Sequence, residues 1–398
     1  MLGSICRPLV LMLVVSIALI GCGKKEEQAG APGGQAERPL EKAAKPPKGS
    51  IVVKVGVVLP KTGPIATYGD MAEKAILIAA EDARAEGKVF PQLIIQDNGA
   101  DQQKTASSVK TFIDVDKVSV MIGPVTSKNA IAAGDLADAA RVPLVTPTAT
   151  NVQVTLNRKY VFRVCFTDDF QGRSAANFAY DTLGARRAGI LVDSGETYSM
   201  GLGDVVSEVF KQRGGDIVSQ VSFGSGSDDF GGQVTQLRAK SPDVVFMPTY
   251  YESAAKCVSQ ARAAGFRATF VGTDGWDSPA LYTLSGGTVR GNYFTTHFSP
   301  QEDRDVVKRF AQNFRAAYNT EPDALAALGY DAALLVFDAV KRAGSADRQA
   351  ITDALAATRD FEGVTGKFSI DGNHNAVKGL VVLECGDRSS SLRMVVSP

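Results

Sequence analysis

The chain has 398 residues, 44% of them hydrophobic and 22% charged, with 43 basic against 43 acidic side chains. Seven of the basic and four of the acidic residues precede Ile51, so residues 51–398 carry a net charge near −3. That balance removes the electrostatic case for nucleic-acid binding, and a body of this length exceeds what one hydrophobic core serves, so two domains are expected.

Arg7 is followed by a short apolar run, residues 8–20. A positive flank with an apolar stretch of about thirteen residues is the pattern of a secretory signal, whereas a spanning helix needs about 20. The run ends in "LIGC", which resembles the lipobox of bacterial lipoproteins. Residues 1–21 then form a lipoprotein signal peptide, and Cys22 becomes the lipidated N-terminus, held by several acyl chains where one would not suffice. An ordinary signal peptide with a chance cysteine is the alternative. Residues 23–50 contain no aromatic and no β-branched side chain. Nothing there offsets the entropy of ordering, so residues 22–50 are expected to be a lipidated, disordered tether.

From Ile51 the pattern alternates. "IVVKVGVVLP" is a continuous apolar run, the mark of a parallel strand buried on both faces, and "GDMAEKAILIAAEDARAEG" carries the apolar stripe of a helix. "FPQLIIQDNG", "VSVMIG", "PLVTPTAT", "YVFRVCF", "RRAGILVDS", "DIVSQVSF" and "GNYFTTHF" read as further strands, with helical stretches between them. This rhythm means βαβ units and parallel sheet. Three helices are expected over 303–318, 323–343 and 347–357, and "GVTGKFSIDGNHNAVKGLVVLEC" reads as a strand pair. These C-terminal elements complete two α/β lobes, with a cleft at the carboxyl ends of their strands.

Two strand ends stand out for their hydroxyls. Ser127 lies between "MIGPVT" and a helix, where its hydroxyl and free helix N–H groups can meet a carboxylate. Thr148 and Thr150 end the next strand in "PLVTPTATN" and are expected to share a face. An N-cap and turn-forming threonines are the plainer account. Asp274, in "VGTDGW", is either a turn-forming Asp-Gly or an anion facing the cleft. Cys165, Cys257 and Cys385 are scattered on apolar elements and read as buried thiols, with one disulfide as the alternative. Only His297 and His374 are present and no paired cysteines, so no metal site or cofactor is expected.

In order and spacing, "VKVGVVLPKTGPIATYGDMAEKAILIAAEDA", "MIGPVTSKNAIAAGDLADAARVPLVTPTATN", "FRVCFTDDFQGRSAANFAY" and "FVGTDGW" resemble the type I periplasmic solute-binding proteins of branched-chain amino-acid ABC importers. The resemblance runs from about Ile51 to Gly386. It implies a periplasmic-binding-protein-like type I fold: two Rossmann-like three-layer α/β/α lobes, 51–168 with 299–373 and 169–298 with 374–398, and a ligand cleft at the hinge. It also implies a ligand carboxylate held by Ser127 and Thr150, and an ammonium held by the Thr148 carbonyl and Asp274. Aromatic walls fall on Tyr68, Tyr198 and one of Tyr250 or Tyr251, while Trp276 either closes the pocket or packs in the hinge. Many relatives carry Glu where this chain has Asp274. "EPDALAALGYDA" offers Ala324 and Leu325 where an aromatic often stands, suggesting a roomier, more aliphatic pocket.

The implied role is an extracytoplasmic lipoprotein, monomeric in its body and anchored to a membrane through lipid, that passes leucine, isoleucine or valine to ABC permease subunits. Capture of another small carboxylate, an aromatic acid, an amide or urea, or a ligand-sensing receptor, are the alternatives. An enzyme fares poorly. "FGSGS" is followed by acids rather than a helix, neither histidine has a base-like context, and "GVVLPKTGPIATYG" lacks the tight turn of a dinucleotide site.

Overall fold

The computed structural model describes residues 45–398. The expected signal peptide, Cys22 and all but the last residues of the expected tether lie outside the described residues.

Strands β1 (Ile51–Leu59) and β2 (Val89–Asp97) flank helix α1 (Ala66–Glu86); α2 (Gln102–Thr111), β3 (Val120–Ile122), α3 (Ser127–Ala139), β4 (Leu144–Thr146) and β5 (Val161–Arg163) follow. The five strands form one sheet in the order β2-β1-β3-β4-β5, parallel throughout. In β1, Val53, Val55 and Val57 enter one apolar cluster and Val58 enters another on the opposite face. Burial on both faces is why this segment is apolar at consecutive positions.

The chain then forms α4 (Asp168–Asn177), β6 (Arg187–Asp193), α5 (Thr197–Gln212), β7 (Asp216–Phe223), α6 (Gly231–Ala239), β8 (Val244–Phe246), α7 (Tyr251–Ala263), β9 (Thr269–Gly272), α8 (Pro279–Ser285) and β10 (Tyr293–Thr296). After these come α9 (Asp305–Tyr318), α10 (Ala324–Ala343), α11 (Arg348–Ala356), β11 (Phe361–Gly363), β12 (Gly366–Ile370), β13 (Ala376–Val377), β14 (Leu380–Cys385) and β15 (Ser390–Val396). A second sheet has seven strands in the order β15-β14-β10-β9-β8-β6-β7, with β14 and β15 antiparallel additions to a parallel core. In β8, Val245 enters the large central cluster and Val244 and Phe246 the cluster on the other face.

The Asp323 side chain caps α10 by accepting from the Ala326 N–H at 2.9 Å, and Gly344 closes the helix in the left-handed region at φ 61°. α10 packs along α1, so its apolar sequence is spent on the core. Among the described residues no helix is long and apolar enough to cross a membrane.

The expected C-terminal strand pair is instead four strands, β11 to β14. β12 and β13 pair with each other, while β14 leaves them to join the second sheet and carries β15 with it. α8 has no counterpart in the sequence reading. The strand expected over 143–150 stops at Thr146, leaving Thr148 and Thr150 in the loop beyond it. Cys165, Cys257 and Cys385 are free, buried thiols, each pushed up to about 12 by burial.

Candidate functional site

One cavity, with about 360 Å³ of empty space, lies between the carboxyl ends of strands from both sheets. From the first sheet's side come Tyr68 on α1, Val125 and Ser127 at the start of α3, and Thr148 beyond β4; Ala324, Leu325 and Leu328 project from α10. From the second come Tyr198 on α5, Tyr250 before α7, Asp274 and Gly275 after β9, and His297 directly after β10.

The loop from β3 into α3 depends on Gly123. Its φ is +98°, and a Cβ there would lie 2.2 Å from the Val58 carbonyl oxygen. This close approach sets the start of α3 against β1, with Ser127 in the first turn and its backbone N–H free of intrahelical bonding. Ser127 Oγ accepts from the Asn151 N–H at 3.2 Å, which ties the two hydroxyl-bearing loops together. Thr148 Oγ1 donates to the Val125 carbonyl at 2.5 Å, so its hydroxyl is committed to the wall. Thr150 stands behind the cavity surface. Its hydroxyl is buried beside the Asp168 carboxyl, with no other side-chain partner for either among the described residues. Burial pushes Asp168 up to about 8, against the pull of the Thr150 hydroxyl.

Asp274 occupies the opposite wall. Tyr198 donates to its Oδ1 at 2.7 Å, and His297 Nε2 faces Oδ2 at 3.3 Å. Because the Tyr198 proton goes to Asp274, the Thr273 hydroxyl at 2.5 Å and the Gly275 N–H at 3.2 Å both donate to the Tyr198 oxygen. The Tyr198 and Tyr250 rings stack with centroids 5.5 Å apart, and Tyr68 meets Tyr250 edge-on at 5.9 Å. Tyr68 also donates to the Gly275 carbonyl, a bond between α1 and the turn after β9. Burial raises all three of these phenols, so they stay protonated donors.

Six of the predicted residues, Tyr68, Ser127, Thr148, Tyr198, Tyr250 and Asp274, therefore line one cavity. Tyr251 does not. Its hydroxyl accepts from Thr67 Oγ1 at 2.8 Å and donates to the Pro64 carbonyl at 2.9 Å, joining α7 to the loop before α1 outside the pocket. Trp276 is fully buried away from the cavity, with Nε1 donating to the Met247 carbonyl at 3.0 Å. Its indole fills the space beside Gly272, where a Cβ would come within 2.2 Å of the ring.

The sequence reading passed over His297, Val125, Gly275 and Leu328 as pocket residues. His297 has a usable signal, since like Tyr250 and Asp274 it sits just past a parallel strand, but a histidine invites reading as a base or a metal ligand before a donor to a carboxylate. Also unanticipated was Asp277, partly buried, which accepts from Thr296 Oγ1 at 2.7 Å close to the buried Asp323. Burial raises both carboxyls, helped by the charge of Asp274 at Asp277 and by that of Asp277 at Asp323. Among the described residues no group of His, Cys, Asp and Glu side chains is arranged to hold a metal ion.

The chain resembles known proteins along most of its length. It is 26% identical over 321 residues to the Leu/Ile/Val-binding protein BraC3 of Rhizobium johnstonii, covering 80% of this chain and 87% of that one. The crystal structure of a leucine-binding protein, LivK, from Thermotoga maritima superposes with a TM-score of 0.83 at 37% identity, over 87% of this chain and 99% of that one. LivJ from Streptococcus pneumoniae, solved in complex with isoleucine, gives 0.83 at 32% identity, over 87% and 100%. The model of the periplasmic binding protein family matches residues 52–389. With two α/β sheets, each with a parallel core, meeting at a cleft lined from the carboxyl ends of their strands, the chain belongs to the periplasmic binding protein family and has its type I fold.

Proposed function

We propose that this protein captures a free α-amino acid with an apolar side chain, leucine, isoleucine or valine, outside the cytoplasm and delivers it to the permease of an ABC importer. One observation carries the reading: uncharged donors at Ser127 and the start of α3 face a carboxylate, Asp274, across a cavity whose other walls, Thr148 and His297 apart, are tyrosine and aliphatic side chains. A zwitterion with an apolar side chain matches that distribution. Its carboxylate meets the N–H groups and hydroxyl, its ammonium meets Asp274, and its side chain meets Leu325 and Leu328. The names of BraC3, LivK and LivJ support the same ligand class.

The lobes are taken as 51–168 with 299–373 and 169–298 with 374–398. Sheet membership supports this division, although the β12–β13 pairing favours a last crossing nearer Lys378. Because the two lobes supply different halves of the clamp, binding energy is gained fully only on closure, and the closed form is what a permease recognises. The "LIGC" box supports lipid anchoring through Cys22.

A thermal-shift screen of the twenty amino acids with aromatic and short aliphatic acids tests the reading. A ligand at 100 times its Kd stabilises by about 2.7 kcal/mol, enough to rank candidates. Leucine, isoleucine and valine are expected to raise the melting temperature most. If an amine-free acid raises it further, the amino-acid assignment is wrong and only solute binding survives.

A further inference from the structure

His297 is a pocket residue whose role the amino-acid clamp leaves undefined. It follows β10 and is 3% exposed. Its ring stacks on Phe166 with centroids 3.6 Å apart and 19° between planes, and Nε2 lies 3.3 Å from Asp274 Oδ2. Nδ1 is buried with no hydrogen-bond partner among the described residues.

These facts determine the tautomer. An ionised carboxylate only accepts hydrogen bonds, so the proton of a neutral His297 belongs on Nε2, facing Asp274. An imidazolium would carry a second N–H at Nδ1 and bury it unpaired, at the cost of an unsatisfied donor. The surroundings agree. Asp274 is the carboxylate facing the ring, Lys378 acts on it from the segment before β14, and burial pulls His297 down to about 4. The ring therefore donates to Asp274 without cancelling its charge.

We propose that His297 is a positioning residue for Asp274: with Tyr198 on Oδ1 and the neutral imidazole on Oδ2, it fixes the carboxylate to receive the ligand's primary ammonium and so selects amines over amine-free acids. The proposal rests on the amino-acid reading above. The Phe166 stack clamps the imidazole from behind, and Phe166 belongs to the segment where the chain leaves the first sheet.

The test titrates the full-length protein calorimetrically at pH 7 with L-leucine and with 4-methylpentanoate, its amine-free counterpart. His297→Phe keeps a ring against Phe166 but removes the donor; His297→Gln restores an N–H donor. Loss of one charge-assisted hydrogen bond to a buried carboxylate predicts leucine binding about 10- to 100-fold weaker in H297F, with 4-methylpentanoate binding unchanged within about twofold. H297Q is expected to recover leucine binding to within about fivefold of wild type. The proposal is overturned if H297F binds leucine like wild type, if it loses both ligands equally, or if H297Q is no better than H297F. Circular-dichroism melts of both variants show whether equal loss reflects unfolding, and a folded H297Q that fails to recover leucine still counts against it. If wild type binds no primary amine, the amino-acid reading fails and takes the proposal with it; retained leucine binding in H297F overturns the proposal alone.

Discussion

Replacing Asp274 with Asn removes a charge and little else. The side chain is only 11% exposed, and both its oxygens have neighbours, Tyr198 at 2.7 Å and His297 at 3.3 Å. An amide keeps the Tyr198 bond through its oxygen, and its NH₂ meets Nε2 only with the imidazole proton on Nδ1, an unpaired donor that costs some stability but needs no movement of the wall. The wall should therefore keep its shape, and the loss should appear in ligand binding. Two unit charges about 4 Å apart interact by about 4 kcal/mol at an effective dielectric near 20. Truncating one member of a buried, hydrogen-bonded charge pair costs about 2–5 kcal/mol. Leucine is thus expected to bind about 30- to 4,000-fold more weakly to D274N. Calorimetry with leucine and 4-methylpentanoate separates charge from packing, because the amine-free acid should bind as well as before or better. A loss of less than threefold for leucine, or parallel losses for both ligands, would refute the placement of the ammonium at Asp274.

Three further expectations follow from other parts of the molecule. Tyr251→Phe removes the bonds to Thr67 and Pro64 across the cleft, so stopped-flow dissociation of leucine should speed up about 3- to 10-fold, at about 0.5–1.5 kcal/mol for the lost bonding; a changed ligand ranking would mean that Tyr251 touches the ligand instead. Asp168 is raised to about 8 by burial, so the stability its neutral form confers is complete below its unfolded value near 3.8 and is lost as pH rises towards 8. D168N should accordingly melt higher than wild type at pH 8 and close to it at pH 4, and a variant that melts lower at pH 8 contradicts the assignment. Cells fed a radiolabelled fatty acid should label wild type and not Cys22→Ser, and equal labelling of both would remove the anchor.

The fold was legible where strands are buried on both faces, because a run such as residues 51–59 admits few other readings. It was less legible at the C-terminus. β13 has two residues and β14 six, and nothing local in "NAVKGLVVLEC" distinguishes a strand that turns back on β12 from one that joins a sheet built far earlier in the chain. Edge strand β15 alternates polar and apolar residues so weakly that only its partner β14 identifies it. α8 spans seven residues, too short for a helical stripe to show, although Ser278 caps it by accepting from the Ala280 N–H at 3.2 Å.

At the site, chemistry was easier to read than direction. Hydroxyls just past parallel strands point to the cleft, which places Ser127 and Thr148 on its wall although Thr150 turns behind it, and Asp274 needed the resemblance to separate it from a turn-forming Asp-Gly. Aromatic residues carry no such mark. Tyr250 and Tyr251 are adjacent in sequence, but one stacks on Tyr198 at the cavity and the other bonds to Thr67 and Pro64, a division set by where α7 begins. Trp276, two residues after Asp274, turns into the core because Gly272 leaves room for its indole. His297 was missed for a different reason. A lone histidine suggests acid–base chemistry, and that question hid the simpler one of what a buried neutral imidazole can donate to. Once Asp274 lies within 3.3 Å of it, the histidine reads as support for a charge that must stay uncompensated until a cation arrives.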